Sequence, residues 1–212
     1  MDVPEPLAGR LYLLAYDTRR QRMTARSELG FLMRAGALTD LLMAGHLTDE
    51  GGKPHAVSTG PLPDPLMDAV LRQVAGSRPR TWQHWVNKGA RQAVWAVRDQ
   101  LAAAGWIRLE QRRVLGLFPS TKVTVRDTRV VKRLASTVSS TLRGGQPAAR
   151  LDPRDAAMVA LAATGELKVV LPRALRRTHK RRITELGEIA EPVPRALKKA
   201  IASARAAAAS AS

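Results

Sequence analysis

A mainly α-helical fold is predicted, a central helical bundle ringed by amphipathic helices with a small β-hairpin or wing, and three features of the sequence predict it. Aromatic residues make up only 4% of a chain rich in Ala and Leu, which favours helices over a β-sandwich. Apolar residues recur at three- and four-residue spacing in segments bounded by Asp, Ser, Pro and Gly. The main extended pattern runs from Trp106 to Val125. With 45% of its 212 residues hydrophobic, the chain can build one compact core, so a single domain is expected over residues 1–201. Residues 202–212 form an alanine-rich tail with no apolar stripe long enough to dock, and this tail is expected to fray.

The run Leu11-Tyr12-Leu13-Leu14-Ala15-Tyr16 reads as a buried strand or short helix, followed by a polar turn from Asp17 to Arg22. Ser27 is placed to cap a helix from Leu29 to Ala44, on which Leu29, Met33, Ala37 and Leu41 share a line with Leu32, Leu38 and Leu42 beside it. Almost no polar face is left, so this helix belongs at the centre of the bundle. Gly45 stops it, and residues 49–54 turn the chain into a short strand near Ala56-Val57. Pro65 opens a helix to about Ala75, Gly76-Ser77-Arg78-Pro79 breaks the chain, and Trp82 begins the next segment. A helix from about Asn87 to Ala104 buries Ala90, Val94, Val97 and Leu101 and exposes Arg91, Arg98 and Asp99. Strands over 106–110 and 114–118, joined at Gln111-Arg112-Arg113 and continued at 122–125, form the wing. Asp127 and Asp152-Pro153 start two more helices. Two basic helices follow, one around Leu171 to Leu186 and one after Pro192 and Pro194.

Thirty-five Lys and Arg against 18 Asp and Glu leave a net charge of +17, more than solubility requires, and so call for an anionic partner. Residues 108–133 carry a net +6 and residues 168–205 a net +8. Arg112, Arg113, Arg176, Arg177, Lys180, Arg181 and Arg182 are the candidate basic face, continuous if wing and C-terminal helices are neighbours. Nucleic acid and acidic membrane both fit such a face. An arginine-rich solvated surface of no particular function is the plain alternative. No run of about 18 apolar residues is present to span a bilayer. The opening Met-Asp-Val-Pro-Glu-Pro is too acidic and proline-broken for a signal peptide, so any membrane contact is expected to be peripheral, from the cytoplasmic side.

Catalytic chemistry finds little support. The chain has no cysteine, which removes disulfides, thiolate metal sites and a thiol nucleophile. His46, His55, His84 and His179 are scattered and give no pair of ligands on one helix face, so neither metal nor cofactor is expected. Gly144-Gly145 lacks the lysine of a phosphate loop, and Ser120-Thr121 reads as a strand-end turn. The expectation is a binding protein and not an enzyme.

The order of segments resembles the Golgi phosphoprotein 3 family, in its short actinobacterial form. The resemblance rests on residues 11–17, 32–41 with Ala44-Gly45-His46-Leu47, Arg91 through Gly105-Trp106-Ile107, and Leu151 to Ala156, and spans about Leu7 to Ile201. It implies a helical fold around a central bundle, binding of phosphatidylinositol 4-phosphate, and an apolar hairpin that meets the bilayer. The family's headgroup arginine on the central helix falls on Arg34, and the first of its second basic pair on Arg91. Arg34 shares the apolar stretch from Leu29 to Gly45 with one other charge, Asp40, so it must be paired or face a pocket. Val94 stands where the second arginine of the pair belongs, and Ala25 where an aromatic flanks the headgroup. Arg98, two turns beyond Arg91, is the candidate replacement cation. The membrane-touching hairpin falls on Val114, Leu115, Leu117 and Phe118, which read equally as core strand or self-association contact. The N-terminal extension that recruits coat partners in Golgi members has no counterpart, so Golgi retention is not carried over. A helix followed by a basic wing also describes a winged-helix nucleic-acid binder, with Arg91, Arg98, Arg112 and Arg113 on phosphates.

Overall fold

The computed structural model describes residues 2–114 and 118–211, with side chains outside 112–120. Among these residues, ten α-helices account for more than half of the positions and three antiparallel pairs of strands for most of the remaining regular structure.

The N-terminal apolar run is a helix followed by a strand. Helix α1 (Leu7–Leu14) buries seven of its eight residues, and strand β1 (Tyr16–Asp17) pairs with β2 (Arg22–Met23). The helix α2 (Leu29–Met43) is buried from Gly30 to Leu41 apart from the half-buried Phe31, and packs against α1 and helices introduced below. Ser27 does not cap it. The entering chain turns through Ala25, at φ +52°, whose carbonyl receives the N–H groups of Glu28 and Leu29; the Ser27 hydroxyl bonds the Glu28 carboxylate at 2.9 Å instead. Strands β3 (Leu47–Glu50) and β4 (Lys53–Ala56) close over Gly51-Gly52, so the expected turn is present but the strand before it, polar after Leu47, was not foreseen.

Helix α3 (Pro65–Ala75) starts as expected, its Asp64 carboxylate accepting from the Met67 N–H at 2.8 Å. The helix expected from about Asn87 to Ala104 begins only at Ala90, and a separate short helix precedes it. Thr81 caps α4 (Trp82–Asn87), and the chain breaks at Lys88-Gly89 before α5 (Ala90–Ala103). Gly89 takes φ +70°, a conformation that a residue with a β-carbon adopts at a cost. Strands β5 (Ile107–Val114) and β6 (Phe118–Val125) form an eight-residue ladder, so Gln111, Arg112 and Arg113 lie within β5, opposite Thr121, Ser120 and Pro119, and do not make the turn. Nothing in their polarity opposes ladder pairing, which uses only the backbone.

Helix α6 (Thr128–Arg143) is strongly amphipathic. Helix α7 (Pro153–Thr164) is capped by Asp152 and buried from Ala156 to Ala163. The basic helix expected from Leu171 breaks at His179 into α8 (Arg173–Thr178) and α9 (Lys180–Glu188). Helix α10 (Val193–Ser210) continues helically through the tail, although its buried residues stop at Ile201; alanine's helix propensity needs no tertiary partner to favour that conformation. Around α2 are gathered α1, α3, α4, α5, α7 and α10. The closest approach is to α5: a β-carbon on Gly30 would fall 2.5 Å from the Ala90 carbonyl oxygen, so only glycine lets the two helices meet there.

At the other end of α2, Asp40 is 1% exposed and accepts from the Leu7 N–H at 2.7 Å, supplying the cap that α1 lacks at Pro6. Arg154 Nε stands 3.2 Å from Asp40 Oδ1, near enough to attract but not aligned for a hydrogen bond.

Candidate functional site

Three helices converge on the guanidinium of Arg34. The side chain leaves the centre of α2 and is 1% exposed. Its Nε donates to the Trp85 carbonyl of α4 at 2.9 Å, and Nη2 donates to Gln73 Oε1 of α3 at 3.3 Å. Nη1 points toward the start of α5, where a β-carbon on Gly89 would stand 4.0 Å away. All these partners are neutral. Burial pushes the guanidinium down to about 10, and no carboxylate pulls it back. The salt bridge that would have been the ordinary explanation of this residue is not made among the described residues.

Further positive charge surrounds it. Lys88 Nζ lies 4.8 Å above the Trp85 ring, and His84 meets the same ring edge-on at 5.1 Å. The His84 imidazole is held below its usual range by burial first, then by the charges of Arg80, Lys88 and Arg34. The N–H groups opening α5 face this end, with no side chain capping them, so the helix dipole adds to the same sign of potential. The arrangement gives a cation without a counter-ion, further cations around it and a helix start beside it, which together suit an oxyanion.

Of the residues expected at the site, Arg34 and Arg91 are on adjoining elements. Arg91 is exposed, in no ion pair among the described residues, with its guanidinium 5.9 Å from the centroid of the Trp95 ring. Val94 is half-buried against the core. Arg98 does not join them: it is seven residues along α5 from Arg91, about 10 Å by the rise of a helix, and bonds Asp99 at 2.8 Å. Lys88 and Arg80 act together with Arg34 on His84, and neither was singled out by sequence. The available signal was the Lys88-Gly89 break, which ends one helix and begins the next over Arg34.

The basic face divides. Arg176 reaches Glu166 at 3.7 Å and the Ala163 carbonyl at 3.4 Å, Arg181 reaches Glu185 at 3.2 Å, and Arg182 donates to the Gln146 carbonyl at 2.7 Å. Arg177 and Lys180 are exposed and in no ion pair among the described residues. Helix α9 packs on α7, whereas β5 packs on α5 and β6 on β2, so wing and C-terminal helices are carried by different parts of the bundle. Arg112 and Arg113 are described only as backbone of β5. The hairpin tip, Val114, Leu115, Leu117 and Phe118, lies outside the described side chains, beyond the pairing of Val114 with Phe118.

Residues 7–204 match the profile of the family described as Golgi phosphoprotein 3 (GPP34). The chain belongs to the Golgi phosphoprotein 3 family. No curated protein matches it. At the level of the family, that membership points to phosphoinositide binding. Among the described residues of this Golgi phosphoprotein 3 family member, no helix is long and apolar enough to cross a membrane.

Proposed function

We propose that this protein binds the anionic headgroup of a phosphoinositide, of the phosphatidylinositol 4-phosphate type, at the surface of a bilayer, and acts as a peripheral membrane protein on the cytoplasmic side. The observation that carries this reading is Arg34, a buried guanidinium with neutral partners and no carboxylate to offset it. A phosphate at the Gly89 end supplies the missing charge, with Lys88 and Arg91 reaching it from the surface and the first N–H groups of α5 behind them. We read the protein as a binder and not an enzyme because the groups gathered there are cations and hydrogen-bond donors, suited to neutralising an anion. Family membership supports the same ligand class.

The test is sedimentation with vesicles that carry either a phosphorylated inositol lipid or an equal charge of phosphatidylserine. Wild-type protein should prefer the former. Arg34→Met keeps most of the side-chain volume and removes a desolvated charge, so the fold should survive while the preference disappears; Arg91→Ala should reduce the preference more weakly. If Arg34→Met melts like the wild type and still prefers the phosphorylated headgroup, the assignment is wrong. Binding to DNA or RNA that exceeds vesicle binding at the same salt would replace it with the nucleic-acid reading.

A further inference from the structure

Trp85 has a second side. Its carbonyl serves Arg34, and the residue also borders a cavity of about 260 Å³ that opens between β4, the end of α3 and the segment from Gly76 to Thr81. His55, Thr59, Ser77, Arg78 and Arg80 share the lining. Trp85 is 1% exposed, and its Nε1 is buried without a hydrogen-bond partner among the described residues. Arg78 and Arg80 are exposed and in no ion pair among the described residues. His55 of the lining stands, through its Nε2, 3.7 Å from the Glu50 carboxylate. Arg80 also contributes to the potential that lowers the His84 pKa, together with Lys88 and Arg34, so the cavity and the Arg34 site lie within one electropositive region. They are joined through Trp85, and through Gln73, which bonds Arg34 and precedes Val74 of the cavity wall.

We propose that this cavity is a second oxyanion subsite, taking a phosphomonoester on the guanidinium forks of Arg78 and Arg80 beside Trp85. The ligand then carries two anionic groups, one at Arg34 and one in the cavity. For a lipid ligand the inference rests on the function proposed above; for the subsite itself it rests on the cavity and its donors. A doubly phosphorylated inositol headgroup and a soluble sugar bisphosphate share this chemistry.

The experiment follows the ¹⁵N-labelled indole resonance of Trp85 during titration with myo-inositol monophosphate and bisphosphate at constant ionic strength. Wild type is compared with Arg78→Ala/Arg80→Ala and with Arg78→Lys/Arg80→Lys, which keeps the charge and loses the fork. The bisphosphate should shift the Trp85 resonance. Both double variants should lower bisphosphate affinity about tenfold more than they lower monophosphate affinity. A Trp85 resonance that no phosphate moves, or an equal loss for both ligands in the alanine variant with none in the lysine variant, overturns the subsite, the latter leaving bulk charge only. The same proteins are then sedimented with vesicles bearing the two corresponding lipids. Preference for the doubly phosphorylated lipid identifies the headgroup as the source. Binding in solution with no vesicle binding upholds the subsite and overturns the lipid reading.

Discussion

Asp40 and Arg34 are both 1% exposed on the same helix, yet their surroundings treat them differently. Asp40 receives the Leu7 N–H and sits near Arg154 and Arg10, and even so burial raises its carboxyl to about 6 from an ordinary 3.8. A carboxyl raised in the folded state holds its proton more tightly there than in the unfolded chain. Its contribution to stability is therefore greatest below about pH 4, falls as pH rises to about 6, and is level above that, a change on the order of 3 kcal/mol. Asp40→Asn keeps the acceptor for Leu7 and cannot titrate. Denaturant unfolding across pH 4 to 7 should show a downward slope for wild type relative to this variant; parallel curves would mean that Asp40 is solvated or fully paired. Arg34 has no such charged neighbour, so the cost of burying it is left for a ligand to offset, and a bound anion should raise the melting temperature by mass action.

At the scale of elements, the pairing within α8 and α9 separates two roles that the sequence merged into one basic cluster. Arg182 is tied to the Gln146 carbonyl before α7, while Arg177 and Lys180 face solvent. Charge reversal at Arg177 and Lys180 should weaken binding to all acidic vesicles without moving the melting temperature. Reversal at Arg182 should lower the melting temperature by several degrees, because the carbonyl loses its donor and Glu185 gains a like charge. Thermal melts alongside sedimentation separate the two. The positions of α3, α6 and α7 were legible because an apolar stripe and a capping Asp are written in neighbouring residues, and that of α2 from its apolar stripe alone. The break before α5 and the length of β5 were not, because the start of α5 is set by the packing of Ala90 on Gly30 of α2 and the β5 ladder by its partner strand. Arg34 was legible as one of two charges in an apolar helix. Lys88, Arg80 and Trp85 were not, since their place beside Arg34 depends on how α4 lies across α2, which no local spacing encodes.

Across the whole molecule the charge of +17 acts as a field and not as a contact. Attraction to a bilayer of simple acidic lipid should fall steeply between low and physiological salt, where the Debye length shortens to about 8 Å. Headgroup preference should fall much less, because Arg34 is shielded from the ions that screen the surface. Vesicle binding measured over a salt series, with and without the phosphorylated lipid, checks both slopes; equal slopes would leave surface charge as the whole explanation.

The ring around α2 also constrains how the chain reaches this state. Two of its ties join distant parts of the sequence, Gln83 to Ser203 across 120 residues and Glu28 to Arg205 across 177. Closing loops of that length adds little to the equilibrium cost, which grows only logarithmically, but it delays the contacts that depend on them. A chain this helical would ordinarily fold fast from local turns. Here α10, which covers one side of α2, is the last helix of the chain, so that side closes only when segments far apart in the sequence meet.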